Sequence, residues 1–200
     1  MAESCPIGIP QELRRKCNDN ALHAHGKAYV FEQRVSVFCR RLTVLKWLGI
    51  AVPILVYGII ASFQLSPGWQ TGIIAAASFI STLLLVLSVW SLAANWEQQY
   101  SKSLQAQIDY AELCRLYREL GTSTLLELHE YKAEISRFDS LMEKADNLAM
   151  ELRISDEEKR MGMRAGLREF RRKCAGCGEM PTDINSTACN VCGNFKRRRI

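Results

Sequence analysis

The distribution of apolar and charged residues divides the chain into one long uncharged segment between two densely charged flanks. No Asp, Glu, Lys or Arg occurs between Trp47 and Trp96. A helix needs about 20 apolar residues to cross a bilayer core, so this segment has room for two crossings and a turn. Pro67-Gly68 has turn chemistry and separates spans of about 47–65 and 72–94. The pattern therefore predicts a two-helix transmembrane hairpin.

Apolar residues recur at helical spacing on both sides of the hairpin, which occupies 47–96. Before it, the spacing predicts a helix over 19–46, preceded by a loose segment at 1–18. After it, residues 97–172 are predicted to be helical, with a heptad pattern that runs from 128 to 152. This pattern is typical of a helix seam. It leaves open whether the seam packs within one chain or between subunits.

Two capping-box sequences predict helix starts within the C-terminal half. Thr124-x-x-Glu127 and Ser155-x-x-Glu158 each place a hydroxyl-bearing residue three positions before a glutamate. We expect a new helix after each of them, the first following a break at Gly121.

The charge balance predicts the orientation of the hairpin. Residues 1–46 carry a net charge of +4, and several of their basic residues lie just before the first span. The turn between the spans carries no charge. Positive residues are retained on the cytoplasmic side, so we expect a multi-pass protein with both termini in the cytoplasm.

Four cysteines near the C-terminus have metal-ligand spacing. Cys174 and Cys177 form one CxxC pair, Cys189 and Cys192 form a second, and eleven residues separate the pairs. Two such turns supply four thiolates for a tetrahedral ion, which predicts a structural Zn site in a small zinc ribbon at 173–200. Disulfides are disfavoured in a reducing cytoplasm. The expected fold is thus an all-α membrane protein: the hairpin, long cytoplasmic helices in a bundle or coiled coil, and this ribbon.

Basic residues surround the predicted ribbon, and residues 160–200 carry a net charge of +7. Such a run is either a solvated face or a contact surface for an anionic ligand, lipid or nucleic acid. The candidate contacts are Arg171, Arg172, Lys173, Lys196, Arg197, Arg198 and Arg199. Nucleic acid is the less favoured partner because the ribbon offers little aromatic surface for stacking on bases.

The second predicted span carries polar side chains on one face. This polar stripe consists of Ser78, Ser81, Ser88, Ser91 and Asn95. Small hydroxylated residues allow helices to pack closely in lipid. Alternatively, several copies turn the stripe toward a shared lumen, which requires a homo-oligomer. The residues alone leave both options open, and no catalytic motif is present that would predict an enzyme.

The layout resembles the SLATT family of bacterial two-helix membrane proteins. The resemblance covers about residues 10–155 and rests on a basic helix end at Arg40-Arg41, the short turn at Pro67-Gly68 and the long helical segment that follows. The CxxC-x11-CxxC spacing from Cys174 to Cys192 is similar to that of a zinc-ribbon subset found on mobile elements.

The resemblance implies a role in bacterial conflict. Such proteins are predicted inner-membrane effectors, often encoded beside nucleotidyltransferases that make nucleotide second messengers, and are thought to form pores or breach the membrane. It therefore implies an oligomeric anti-phage or mobile-element effector that is triggered by a cyclic nucleotide or a partner. The alternative is a membrane-anchored zinc-ribbon module that binds nucleic acid or protein.

Overall fold

The computed structural model describes residues 9–62, 67–124 and 126–196, and in this part the chain forms five α-helices and no β-strand. They are α1 (Gln11–Ser62), α2 (Pro67–Ala93), α3 (Trp96–Thr122), α4 (Leu128–Glu151) and α5 (Asp156–Glu169). The helices confirm the expected all-α content. The chain divides into two compact units: Met1–Arg34 with Lys102–Ile200, and Val35–Ser101.

The first helix begins at Gln11, directly after Pro10, and so starts before residue 19. It includes part of the segment that was expected to be loose, because Cys17 is fully buried and Leu13 packs against the same core. Proline suits a helix start, where its missing N–H has no helical partner. The helix continues through Pro53 to Ser62.

The first unit is built on a core shared by α1, α3 and α4. Phe31 of α1 stacks on Tyr110 of α3 with ring centroids 5.8 Å apart, and Tyr117 meets Phe138 of α4 edge to face at 5.5 Å. The heptad positions of α4 are buried in this core; those below one-tenth exposure are Tyr131, Ile135, Phe138, Ala145, Ala149 and Leu152. The seam is therefore occupied within one chain, which is the intramolecular option.

Carboxylates at the edge of this core join three helices. Asp139 of α4 accepts hydrogen bonds from Lys16 Nζ of α1 (2.6 Å) and from the Tyr117 hydroxyl of α3 (2.7 Å). Asp146, two turns further along α4, accepts from Lys27 Nζ and the Tyr110 hydroxyl, both at 2.5 Å. Burial raises the pKa of Tyr110 and Tyr117, so both phenols remain donors. 

The last helix crosses α1 at a contact between glycine backbones. A Cβ atom on Gly162 would lie 2.6 Å from the carbonyl oxygen of Gly26, and one on Gly26 would lie 2.6 Å from the carbonyl oxygen of Gly162. One turn further along α5, a Cβ on Gly166 would lie 2.7 Å from the carbonyl oxygen of Leu22. No side chain fits between the two helices at these positions.

A nearly buried ion pair fixes the junction of α4 and α5 to α1. Arg34 donates from Nε and Nη2 to the two carboxylate oxygens of Glu158, at 2.9 and 2.7 Å. The same guanidinium donates to the carbonyl oxygens of Leu152 and Arg153, at 2.7 and 3.0 Å. Ser155 caps α5 in a complete capping box with Glu158, which confirms the one predicted there.

Two local predictions are corrected by the structure. The capping box of α4 uses Glu127 with Glu130, not Thr124 with Glu127, so the helix starts one turn later than its sequence pattern indicated. Pro67 and Gly68 are the first residues of α2 rather than a turn. Proline is favoured in the first turn of a helix, and this preference prevails over its use in turns.

In the second unit, one helix is long and apolar enough to cross a membrane. Within the described residues this is Thr71–Ala93, with a mean hydropathy of 2.3. None of its most apolar stretch is buried against the rest of the chain. The last three residues of the first predicted span, 63–65, lie outside the described part. The described residues thus contain one candidate span, and the predicted two-span hairpin is not shown.

Candidate metal centre

The four predicted ligands come together in one cluster after α5. All four Sγ atoms lie within 4.8 Å of one another. Cys174 and Cys189 are 3.9 Å apart at sulfur, and Cys177 and Cys192 are 3.8 Å apart. Cys174 and Cys192 are buried, Cys189 is half-buried and Cys177 is exposed. Four convergent thiols with one side open to solvent can bind a metal ion.

Each CxxC pair is shaped by the same two backbone hydrogen bonds. In the first turn, Gly178 N donates to the carbonyl oxygen of Cys174 at 2.8 Å, while Gly176 N donates to the Cys174 sulfur at 3.3 Å. Gly178 adopts a φ of +73°, which favours glycine. The first turn therefore aims an amide at a sulfur and reverses the chain at a glycine.

The second turn repeats this arrangement. Gly193 N donates to the carbonyl oxygen of Cys189 at 2.8 Å, and Val191 N donates to the Cys189 sulfur at 3.4 Å. A Cβ on Gly193 would lie 2.1 Å from Thr187 Oγ1, so only glycine fits there. The glycines after each pair close the turns, and the amides that face the sulfurs belong to the residues between the cysteines.

The thiols differ in acidity because their surroundings differ. Backbone N–H groups of Cys192 and Val191 lower the pKa of Cys189 to about 6. Burial raises the pKa of Cys192. Four close thiolates repel one another, so a bound cation would stabilise their ionised forms.

Two arginines of α5 hold the cysteine turns against the helices. Arg160 donates to the carbonyl oxygens of Asn190 (3.1 Å) and Asn194 (3.0 Å). Arg164, which is buried, donates to the backbone and the carboxylate of Asp183, both at 2.9 Å. This contact lowers the pKa of Asp183 to about 2. Neither arginine was predicted from the sequence as a contact of the cysteine turns, although their spacing of four residues places them on one helix face.

Apolar contacts complete this attachment. Cys174 and Cys192 belong to a small buried cluster with Leu22 of α1 and Leu167 of α5. Phe170 packs against both this cluster and the main core. The four-cysteine cluster is therefore built on the helical unit rather than carried at the end of a free tail.

The predicted anionic-ligand residues differ in their surroundings. Arg172 is held in an ion pair with Asp19 of α1, whereas Arg171, Lys173 and Lys196 are exposed. Arg197, Arg198 and Arg199 lie outside the described residues. Of the four described candidates, one therefore has an ion-pair partner within the chain and three face solvent.

The polar stripe is only partly a helix face. Ser78, Ser81 and Ser88 are exposed on α2, and Ser91 is buried. Asn95 follows the end of α2, in a turn with a φ of +50°, so it does not continue the stripe.

Hydroxyl groups on α2 bond to their own helix. Ser78 Oγ donates to the Ile74 carbonyl oxygen and Ser88 Oγ to that of Leu84, each at 2.8 Å. Hydroxyls that are satisfied in this way need neither water nor another helix as an acceptor.

The comparisons with known proteins agree with the cysteine pattern. A family described as "Mobilome CxxCx(11)CxxC protein" matches residues 14–195 of the chain. The match therefore includes the helices as well as the four cysteines. Searches of curated proteins and of solved structures found no match.

Proposed function

Because this chain belongs to the mobilome CxxCx(11)CxxC family, we propose that it is a zinc-containing membrane effector of a mobile-element or anti-phage conflict system. In this proposal, the protein lies in the bacterial inner membrane as an oligomer. It forms a pore or disrupts the bilayer when a nucleotide second messenger or a partner triggers it. The role is non-enzymatic.

The cysteine geometry supports zinc. With Zn–S bonds of about 2.3 Å, the edge of a tetrahedron of sulfurs measures about 3.8 Å. Two of the sulfur pairs are 3.9 and 3.8 Å apart. Four thiolates leave no open coordination position, so the ion is structural in this proposal. Cys174, Cys177, Cys189 and Cys192 are its ligands.

The observation that carries the membrane role is the exposed apolar surface of α2. In Thr71–Ala93 the most apolar stretch is unburied and contains no charged residue. Water is a poor solvent for such a surface, and a bilayer accommodates it. The apolar end of α1 supports a second crossing, and Arg40, Arg41 and Lys46 before it support a hairpin with cytoplasmic ends.

Membrane disruption is supported by the resemblance to SLATT proteins and by the small polar residues of α2. The hydroxyl bonds of Ser78 and Ser88 to their own helix favour close helix packing or lipid contact at these positions over an obligatory water-filled lumen. We therefore propose that copies associate through this face and that triggering opens the assembly.

The effector role is tested by induced expression in bacteria with a membrane-potential dye. We expect depolarisation on triggering by phage or by the cognate nucleotidyltransferase product, and its loss when Ser81 and Ser88 are both changed to Leu. Ala76→Leu, away from the stripe on the same helix, serves as the control. Absence of depolarisation under every trigger, with the protein in the membrane, would exclude the effector.

The second candidate function is a membrane-anchored adaptor that binds nucleic acid or protein. The exposed side chains of Lys173 and Lys196 beside the metal centre favour it. Nucleic-acid binding by the detergent-solubilised protein should weaken steeply with added salt, since phosphate contacts release counterions. No binding to DNA or RNA at low salt would leave only a protein partner for this candidate.

A further inference from the structure

The residues just before the first proposed membrane helix carry charge of one sign. Between Val35 and Trp96 the charged residues are Arg40, Arg41 and Lys46, and Asp and Glu are absent. All three are exposed, and no carboxylate of the described residues pairs with them. This differs from the first unit, where Lys16, Lys27 and Arg34 are each paired with an acid. Within the described residues, the three cations therefore have no carboxylate counter-ion.

The second unit places aromatic rings beside these cations. The guanidinium of Arg41 lies over the ring of Trp96, 5.6 Å from its centroid, which brings the basic part of α1 together with the start of α3. Trp47 follows Lys46 directly and is 68% exposed. Tryptophan side chains favour the headgroup region of a bilayer, where the ring meets both apolar and polar surroundings.

Exposed apolar side chains continue from this basic group along α1. Leu48, Ile50 and Ile54 are 42%, 63% and 65% exposed. Along α1, the cations are thus followed by an indole ring and then by exposed apolar side chains. A phospholipid presents its phosphate, its interfacial region and its acyl chains in the same order. A free phosphate or a nucleic acid would complement the cations but leave the apolar surface exposed to water.

We propose that Arg40, Arg41 and Lys46, with Trp47 and Trp96, form a binding surface for the headgroups of anionic phospholipids. The guanidinium and ammonium groups donate to phosphate oxygens, and the net negative charge of the lipid supplies the missing counter-ion. The inference rests on the proposed membrane insertion and goes beyond it, because insertion alone requires no preference for a lipid charge.

The test measures contact quenching of tryptophan by brominated lipids in nanodiscs. The chain has four Trp residues, so Trp69→Phe and Trp90→Phe leave emission from Trp47 and Trp96 alone. Discs contain equal fractions of anionic and zwitterionic lipid, with one or the other brominated. We expect stronger quenching when the anionic lipid is brominated than when the zwitterionic lipid is brominated. The ratio of the two should fall to about one in the triple variant Arg40→Gln, Arg41→Gln, Lys46→Gln, since each cation contributes to the attraction.

Two further variants separate this surface from general charge. Lys132→Gln, Arg137→Gln and Lys144→Gln remove the same number of cations from α4 and should leave the quenching ratio unchanged. Arg40→Lys and Arg41→Lys keep the charge and should preserve most of the preference. Competition by inorganic phosphate, at ionic strength matched with chloride, would identify a soluble phosphate site instead of a lipid surface and overturn the proposal.

The outcomes also distinguish this inference from the proposed function. Equal quenching by both lipids in the two-tryptophan chain with Arg40, Arg41 and Lys46 intact would overturn the lipid preference and leave insertion standing. No quenching by either lipid would show that the helices do not enter the bilayer, and both proposals would fail together.

Discussion

Arg34 and Glu158 show how much of the fold depends on a single pair of side chains. Their side chains are 13% and 9% exposed, and the guanidinium makes four hydrogen bonds, two of them to backbone carbonyls at the α4–α5 junction. Burial by itself raises the pKa of Glu158. Hydrogen bonds from Arg34 and from the Ser155 backbone outweigh this effect and lower the pKa to about 2.

Acid should weaken the fold through Glu158. Its folded pKa of about 2 is below the ordinary value of 4.5, so its stabilisation is complete above pH 4.5 and is lost as the pH falls toward 2. Glu158→Gln should lower the free energy of unfolding by on the order of 3 kcal/mol at pH 7. Denaturant titrations of the solubilised protein across this pH range measure the difference.

The difference between the two proteins should shrink as the pH falls from 4.5 toward 2, and it is smallest below about pH 2, where the wild-type carboxyl is protonated as well. Glu157→Gln is the control, because this neighbour is exposed and has no described ion pair. A destabilisation by Glu158→Gln that stays constant with pH would contradict the assigned pKa.

At the scale of elements, the crossing of α1 and α5 depends on glycines. Gly26 and Gly162 bring the two backbones so close that a methyl group on either would meet a carbonyl oxygen at 2.6 Å. Leu22 and Val30 lie one turn to each side of this contact and are buried. The glycines thus set the distance at which the neighbouring apolar side chains meet.

Replacement of Gly162 by Ala should separate the helices. We expect the free energy of unfolding to fall by about 1–3 kcal/mol and the Tm to fall with it. This is the usual cost of overpacking when the added group meets backbone atoms. Gly49→Ala in α1 is the matched control, since a Cβ there meets nothing within 4 Å. That change should be neutral or mildly stabilising because alanine favours helix. Thermal unfolding of both variants in the same detergent checks the prediction, which equal effects would refute.

The elements differ in how far their sequences predict them. The Ser155–Glu158 capping box and the α4 heptad were predicted correctly because each rests on contacts a few residues apart. Ile108 of α3, by contrast, is apolar but 52% exposed. The core instead takes Tyr110, whose hydroxyl finds a carboxylate partner on α4. Such pairings depend on tertiary register, which local periodicity does not contain.

At the scale of the whole molecule, the cysteine cluster joins the chain's C-terminal part to its helices. Its ligands were predictable because CxxC spacing encodes the geometry of the site locally. Its attachment through Arg160 and Arg164 was not, since their acceptors lie 19 to 34 residues away on irregular backbone. The cysteine cluster and the α5 face therefore form one structural element.

Removal of the metal should loosen this element. Chelation of the purified protein should abolish protection of the four thiols from alkylation and raise the protease sensitivity of residues 173–196, because metal binding contributes directly to folding of such sites. Cys192→Ser should reproduce the effect, whereas Cys39→Ser, at an exposed free cysteine, should not. Full thiol labelling before chelation would refute metal binding.

The two Asp–Tyr–Lys groups together fix the axial register of the helices in the bundle. Asp139 and Asp146 are seven residues apart, as are Tyr110 and Tyr117, but Lys16 and Lys27 are eleven apart. These spacings correspond to about 10 Å and about 16 Å of helix. A slide of α4 by seven residues would place one aspartate against one tyrosine and one lysine, but it would leave the other aspartate, tyrosine and lysine without these partners. Only the observed alignment pairs both groups, so the bundle has a single axial setting.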